Sequence, residues 1–242
     1  MGRIGLLVPS SNTTVETEFF RALPPGVTLH TARLFLSTIA PESILAMVED
    51  MEKQARLLAS ADVDVIVLGA TAPSFLKGLG YDRELIAKIE SATGKKATTT
   101  STALVAAIRH LGARRVVLGT AYTDQVNGIA KAFLEASGIE VTDVKGLSLT
   151  DNLVVGRLSP QTACDLALAL DRTNADAIVL SCTNWQTMEV IERIEAEAGK
   201  PVITTSQASV WAALRAIGHA EPVAGYGRLL REIAPRRQTQ TA

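Results

Sequence analysis

The sequence predicts an α/β protein of two pseudo-symmetric halves, each a parallel sheet covered by helices, facing each other across a central cleft. Three observations carry this expectation. Strand-like and helix-like runs alternate along the whole chain, at the spacing parallel sheets require. The alternation restarts near residue 113, and the restart is an internal repeat. Ile66-Val67-Leu68 returns 112 positions later as Ile178-Val179-Leu180, and "GKKATTTSTA" (94–103) returns 105 positions later as "GKPVITTSQA" (199–208). Finally, 47% hydrophobic residues with only 4% aromatics is the composition of an aliphatic α/β core. The chain of 242 residues is long enough for two such units. The expected units are flavodoxin-like (Rossmann-like): residues 1–100 with the C-terminal segment 208–242, and residues 101–207.

Each element has its own signal. In the first half, "RIGLLVP" (3–9) reads as a buried strand. A helix follows over 13–23, with Asn12 as its cap and Glu16 in its first turn. A strand is expected over 26–35. One long helix, opened by Pro41, is expected over 41–61. "VDVIVLGA" (63–70) is a strand, 82–94 a helix ended by Gly94, "KATTTS" (96–101) a short strand, and 102–112 a helix. The second half reads likewise. Strands are expected at 113–120, 139–147, 175–182 and 201–206. Helices are expected at 123–137, 159–173, 186–198 and 207–217.

Ligands in parallel sheets bind beyond the carboxyl ends of the strands. The cleft is therefore expected along the loops after Pro9, Ala70, Thr120 and Cys182. The repeat pairs Cys182 with Ala70 and Thr183 with Thr71, so one side of the cleft carries a thiol and the other a methyl group. Cys182 at a strand-to-helix junction has two readings. Free cysteine is among the most buried residue types, yet backbone N–H groups at a helix start stabilise a thiolate. Thr183 and Asn184 beside it favour an anion site. Cys164, in an apolar helix, reads as core packing. Thr71, Asn12, Tyr122 and Asn152 each have a bland reading as turn, cap or packing residues. Their common address is what singles them out. The hydroxyl run "TTTST" (98–102) is attributed to strand propensity.

Several function classes find no support. The net charge of −1, without basic or acidic blocks, argues against nucleic-acid or anionic-membrane partners. No apolar run reaches the length of a membrane span. A strand starting at residue 3 leaves no room for a signal peptide, and two cysteines make no disulfide framework. A cytoplasmic protein is expected. Three scattered histidines show no metal-ligand spacing. No glycine-rich phosphate loop follows the first strand. The expectation is a site without metal or cofactor.

Five segments in order give a family resemblance: "IGLLVPSSNTTVE" (4–16), "TAPSFLKG" (71–78), "TTSTALVAAIRHLGARRVVLGTAYTDQVN" (99–127), "SCTN" (181–184) and "GYGRLL" (225–230). The chain resembles the aspartate/glutamate racemase superfamily, in the branch of arylmalonate decarboxylase and maleate cis-trans isomerase. The resemblance implies cofactor-independent chemistry at the carbon beside a carboxylate. Racemases and maleate isomerases of this superfamily use two cysteines, one on each side of the substrate. Arylmalonate decarboxylases keep only the second, which protonates a carbanion on one face. This sequence has the second, Cys182, and Ala70 where the first would stand.

The resemblance also assigns Thr71, Tyr122 and Cys182 to an oxyanion pocket bordered by Pro9. Ala72 stands where that pocket has a serine, and Thr183 where it has a glycine. Asn12 and Asn152 match instead the amides with which maleate isomerase holds its diacid. Leu36, Ile39, Ala70 and Val155 are the expected apolar wall. The leading reading is a decarboxylase of substituted malonates with Cys182 as general acid. The alternatives are a maleate-type isomerase or racemase, or a small-acid binding protein that has lost catalysis. The expected partner is a small mono- or dicarboxylate; a homo-oligomer is compatible with the sequence.

Overall fold

A computed structural model describes residues 2–234; Met1 and residues 235–242, the end of the segment 208–242, lie outside the described residues. Two four-stranded, wholly parallel sheets form the frame. The first contains β1 (Gly2–Pro9), β2 (Val27–Leu34), β3 (Val65–Leu68) and β4 (Lys96–Thr99), in the order β2-β1-β3-β4. The second contains β5 (Arg115–Thr120), β6 (Glu140–Gly146), β7 (Ala177–Ser181) and β8 (Val202–Thr204), in the matching order β6-β5-β7-β8. In both sheets the strand order reverses between the first and third strands, the chain stepping to one side for the second strand and to the other for the third. Such a switch point opens a crevice at the carboxyl edge.

The central strands are apolar throughout because helices cover both faces. Ile66, Val67 and Leu68 in β3, and Ile178, Val179 and Leu180 in β7, are fully buried. The repeat extends to the amino ends of these strands. Asp64 accepts the Arg3 N–H at 2.7 Å and donates its own N–H to the Arg3 carbonyl. Its counterpart Asp176, 112 positions later, accepts the Arg115 N–H at 2.9 Å and donates to the Arg115 carbonyl. Each aspartate clamps the entry of a central strand.

The helices are α1 (Val15–Ala22), α2 (Pro41–Glu49), α3 (Met51–Ser60), α4 (Thr71–Phe75), α5 (Tyr81–Thr93) and α6 (Thr100–His110) in the first part. Then come α7 (Asp124–Ala136), α8 (Asn152–Gly156), α9 (Pro160–Ala169), α10 (Ile191–Ala198), α11 (Thr205–Ala216) and α12 (Gly227–Arg231). Helices α6 and α11 pack against each other; α11 also touches β3 and β4, and α6 touches β8. Threonine starts both. Thr99 Oγ1 accepts the Thr102 N–H, and Thr204 forms a full capping box with Gln207. Gly94 and Gly199 end their helices in the left-handed region, at φ 67° and 65°.

Several boundaries differ from the sequence-based expectation. The single helix expected over 41–61 is two helices, broken at Asp50 (φ −88°, ψ 0°). Aspartate forms helix interiors poorly, and the break turns α2 towards the crevice. The strand expected over 96–101 ends at Thr99, because the cap starts α6 at Thr100. Segment 71–75 is a short helix, and Asn152 opens another rather than forming a plain turn. The helix expected from residue 186 starts with a single 3₁₀ turn, Met188–Val190. Helix α12, which starts within "GYGRLL" and ends at Arg231, has no counterpart in the expectation.

Candidate active site

The carboxyl edges of the two sheets meet at one small cavity. Pro9 and Asn12 approach from the loop after β1, and Leu36 and Ile39 from the loop after β2. Ala70, Thr71 and Ala72 follow β3; Tyr122 follows β5; Asn152 follows β6; Cys182 and Thr183 follow β7. Eleven of the twelve residues that the sequence nominated thus line one cavity. Val155 does not. It is fully buried on α8, one turn beyond Asn152, and faces the core. Asn184, already singled out beside the thiol, also lines the cavity; Ile44 and Met47 of α2 and Pro73 complete the lining without a prior signal. Ile44 and Met47 arrive only because the chain breaks at Asp50 and folds α2 across the mouth.

None of the lining side chains is charged. An anion here must be held by hydroxyls, amides and backbone N–H groups in a medium of low dielectric. The cavity is also tight, with about 40 Å³ of room for water. For comparison, a cavity of about 150 Å³ binds benzene.

Cys182 lies just past the end of β7 and is 5% exposed. Its N–H donates to Thr205 Oγ1 at 3.2 Å, and its carbonyl accepts the Trp185 N–H at 3.2 Å. Burial pushes the thiol up to about 11, against the pull of the Asn184 and Trp185 N–H groups and the Tyr122 side chain. At neutral pH Cys182 is a thiol, able to give a proton. Ala70, also buried, stands at the matching end of β3.

Thr71 Oγ1 is buried with no hydrogen-bond partner, while its backbone is firmly held. The Ser74 and Ser101 hydroxyls donate to the Thr71 carbonyl at 2.9 and 3.2 Å, and Thr100 Oγ1 donates to the Leu68 carbonyl at 3.0 Å. The hydroxyl run 98–102 is therefore more than strand propensity: Thr100 and Ser101 fix the end of β3. An orphaned buried hydroxyl costs about 1–3 kcal/mol and is a donor waiting for a ligand. Tyr122 lies beside Thr71, Ser181 and Cys182, and burial raises its hydroxyl well above the usual tyrosine range. No hydrogen bond of good geometry ties it to Thr71. Phe75 braces its ring edge-on at 6.4 Å.

The remaining polar residues are mostly committed to joining the halves. Thr183 Oγ1 donates to the Gly69 carbonyl and accepts from Asn12 Nδ2, both at 3.2 Å. Its hydroxyl is spent as a bridge. Asn12 Oδ1 accepts the N–H groups of Thr14 and Val15, so it caps α1 from two residues before the formal cap position. One hydrogen of its amide remains for a ligand. Asn184 Oδ1 accepts the Thr13 N–H at 2.8 Å, and its Nδ2 donates to the Asn152 carbonyl at 2.6 Å. Asn152 Nδ2 donates to Ser11 Oγ at 2.9 Å. Gly156 sits where a side chain would meet Thr13 Oγ1 at 2.6 Å, which lets α8 approach the first half. Cys164 is fully buried in α9, away from this cavity. Among the described residues no cluster of histidine, cysteine and carboxylate side chains could hold a metal ion, and no helix is long and apolar enough to cross a membrane.

Two facing parallel-sheet halves with a thiol at one matched strand end define a protein of the aspartate/glutamate racemase-like class. Within it, the chain belongs to the arylmalonate decarboxylase family, which it matches over residues 4–230. It is 34% identical to an arylmalonate decarboxylase of Bordetella bronchiseptica, over 95% of this chain and 96% of that protein. It is 32% identical to a maleate isomerase of Pseudomonas putida, over 94% and 96%. A solved structure of the Nocardia farcinica maleate cis-trans isomerase superimposes with a TM-score of 0.92 at 31% identity, covering 95% of this chain and 98% of that one. That structure is a cysteine-to-serine variant holding a covalently bound succinylcysteine intermediate. These relatives are enzymes of two reaction types on one fold.

Proposed function

We propose that the protein is a cofactor-independent decarboxylase of small substituted malonates, with Cys182 delivering a proton to one face of the product carbanion. The observation that carries this reading is the single, neutral thiol facing a methyl group across an uncharged cavity. One carboxylate of the substrate accepts hydrogen bonds from Thr71 Oγ1 and the Tyr122 hydroxyl. The other lies against Leu36, Ile39 and Met47, where no cation holds it. Its C–C bond breaks, carbon dioxide leaves, and the electron pair moves onto the retained carboxylate as an enediolate. The same two hydroxyls stabilise that charge. The Cys182 thiol then protonates the carbon, and Ala70 supplies nothing to the opposite face. The tight cavity and the Asn12 amide favour a small or polar substituent over an aryl ring.

The test is carbon dioxide release from a panel of aryl, alkenyl, alkyl and polar malonates. Release from the small members, with product of one hand, is the expected result; release from none of them rejects the reading. Ala70→Cys is expected to keep decarboxylation and add racemisation of the product, followed by chiral chromatography.

A second reading is supported by the free Asn12 amide hydrogen and by Asn152. In it the protein is a maleate-type isomerase that grips a diacid at both ends. Fumarate appearing in the NMR spectrum of a maleate incubation would establish that activity instead. A thiol held near 11 is a poor nucleophile at neutral pH, which ranks this reading second.

A further inference from the structure

No charged side chain lines the cavity, but Arg33 is bonded to the backbone of its wall. Arg33 lies on β2, paired with Val8 of β1, and its side chain is 45% exposed. Its Nη1 donates to two carbonyls of the loop after β1, those of Ser10 and Asn12, at 3.2 and 3.0 Å. Its Nη2 donates to Glu16 Oε2 at 2.8 Å, and Glu16 Oε1 accepts the Thr31 hydroxyl at 2.7 Å. Ser10 ties the same loop to the one after β2. Its N–H donates to the Leu34 carbonyl at 2.7 Å, and its Oγ accepts the Leu36 N–H at 2.9 Å. Residues 10–12 carry two of the cavity's amides. Asn12 is one, and Ser11 Oγ accepts from the other, Asn152, at 2.9 Å.

We propose that Arg33 is a positioning residue that sets substrate specificity, by holding the 10–12 turn so that the Asn12 amide presents its free hydrogen to a polar group of the substrate. The proposal rests on Asn12 facing substrate, as it does in both functional readings. A peptide group is planar, so a held carbonyl fixes its whole plane. With the Ser10 and Asn12 carbonyls both held, the peptide planes on either side of the Ser11–Asn12 pair are fixed. The Asn12 side chain is anchored in turn. Its Oδ1 accepts the Thr14 and Val15 N–H groups, and one amide hydrogen goes to Thr183. The remaining hydrogen of that planar amide has one direction left to it.

Stability alone does not account for this arrangement. The Arg33–Glu16 ion pair is partly solvated, and such pairs add little to folding. The guanidinium is shared instead, one nitrogen serving the two carbonyls and the other the carboxylate. A planar fork of donors can span these partners, whereas the compact ammonium of a lysine cannot. Glu16 balances the charge, so Arg33 acts through geometry rather than by attracting the substrate anion.

Kinetics and NMR on the full chain test this. Rates are compared on two malonates that wild type decarboxylates, one with a hydroxymethyl and one with an ethyl substituent, alike in size and different in polarity. Arg33→Ala is expected to raise KM about tenfold on the hydroxymethyl substrate, the worth of one hydrogen bond, and to leave KM on the ethyl substrate and both kcat values nearly unchanged. Arg33→Lys keeps the charge but spans fewer partners, and is expected to show the same selectivity at about threefold. Asn12→Ser removes the amide and keeps a capping oxygen. Adding R33A to N12S is expected to raise KM no further. In NMR spectra of the ligand-free protein, the Asn12 side-chain amide signals, assigned by their loss in N12S, are expected to shift in R33A and to shift less in R33K. Equal KM changes on the two malonates, additive effects in the double variant, or unshifted Asn12 signals in R33A and R33K overturn the proposal. If wild type turns over no malonate, the proposed function fails, and the Asn12 signals still decide the role of Arg33.

Discussion

Single residues divide here into those that face substrate and those that hold the frame, and Thr71 and Thr183 show the difference. They are counterparts in the repeat, yet Thr183 has its hydroxyl spent between Gly69 and Asn12, while Thr71 Oγ1 is orphaned. Thr71→Val should therefore move stability and activity in opposite directions. The unfolding free energy from denaturant titration should hold or rise by up to roughly 1 kcal/mol, because a buried unpaired hydroxyl is removed. Turnover should fall. Cys182→Ala should lower kcat by about 10²–10⁴, the usual worth of a positioned general acid, with the circular dichroism unchanged. The repeat made the pairing of Cys182 with Ala70 legible in the sequence. The bridging role of Thr183 was not, because its two partners lie 114 and 171 positions away.

At the level of elements, hydrophobic runs announced the central strands β1, β3, β5 and β7, since a strand buried on both faces is apolar at nearly every position. Strands β2, β4 and β6, in contrast, are mixed in composition and only partly buried. Helix ends were less legible. "KATTTS" contains β-branched residues that suit a strand, but the Thr99 side chain caps the next helix and ends the strand at that point. The matching cap in the second half is stronger, with Thr204 and Gln207 bonded reciprocally. Thr204→Ala should cost about 1 kcal/mol, measured by urea unfolding. The split of 41–61 was the main miss, and it concealed Ile44 and Met47 as cavity residues. A helix that turns to cover a cleft is packed by its partners, and one segment's periodicity does not report those partners.

For the molecule as a whole, Glu18 is a buried acid whose ionisation opposes folding. Glu18 is near 7 in the folded chain, against 4.5 for a free carboxyl. Its folded value is raised, so the folded state binds the extra proton between these limits, and stability falls as pH rises through that window. The loss should approach roughly 3 kcal/mol by pH 8. In E18Q that slope should flatten, as thermal unfolding at a series of pH values would show.

The bonds between the halves have a mechanical consequence. Asn12 to Thr183, Thr13 and Thr14 to Asn184, and Glu18 to Thr187 and Met188 all cross on the α1 side. Helix α2 packs on α3 and α4 of its own half. Widening the site on the α1 side would tear a row of stitches, whereas moving α2 breaks none of them. The molecule is a box stitched along α1, with α2 as its unstitched front panel, and faster amide exchange in 41–49 than in α1 is the expected sign that it opens there.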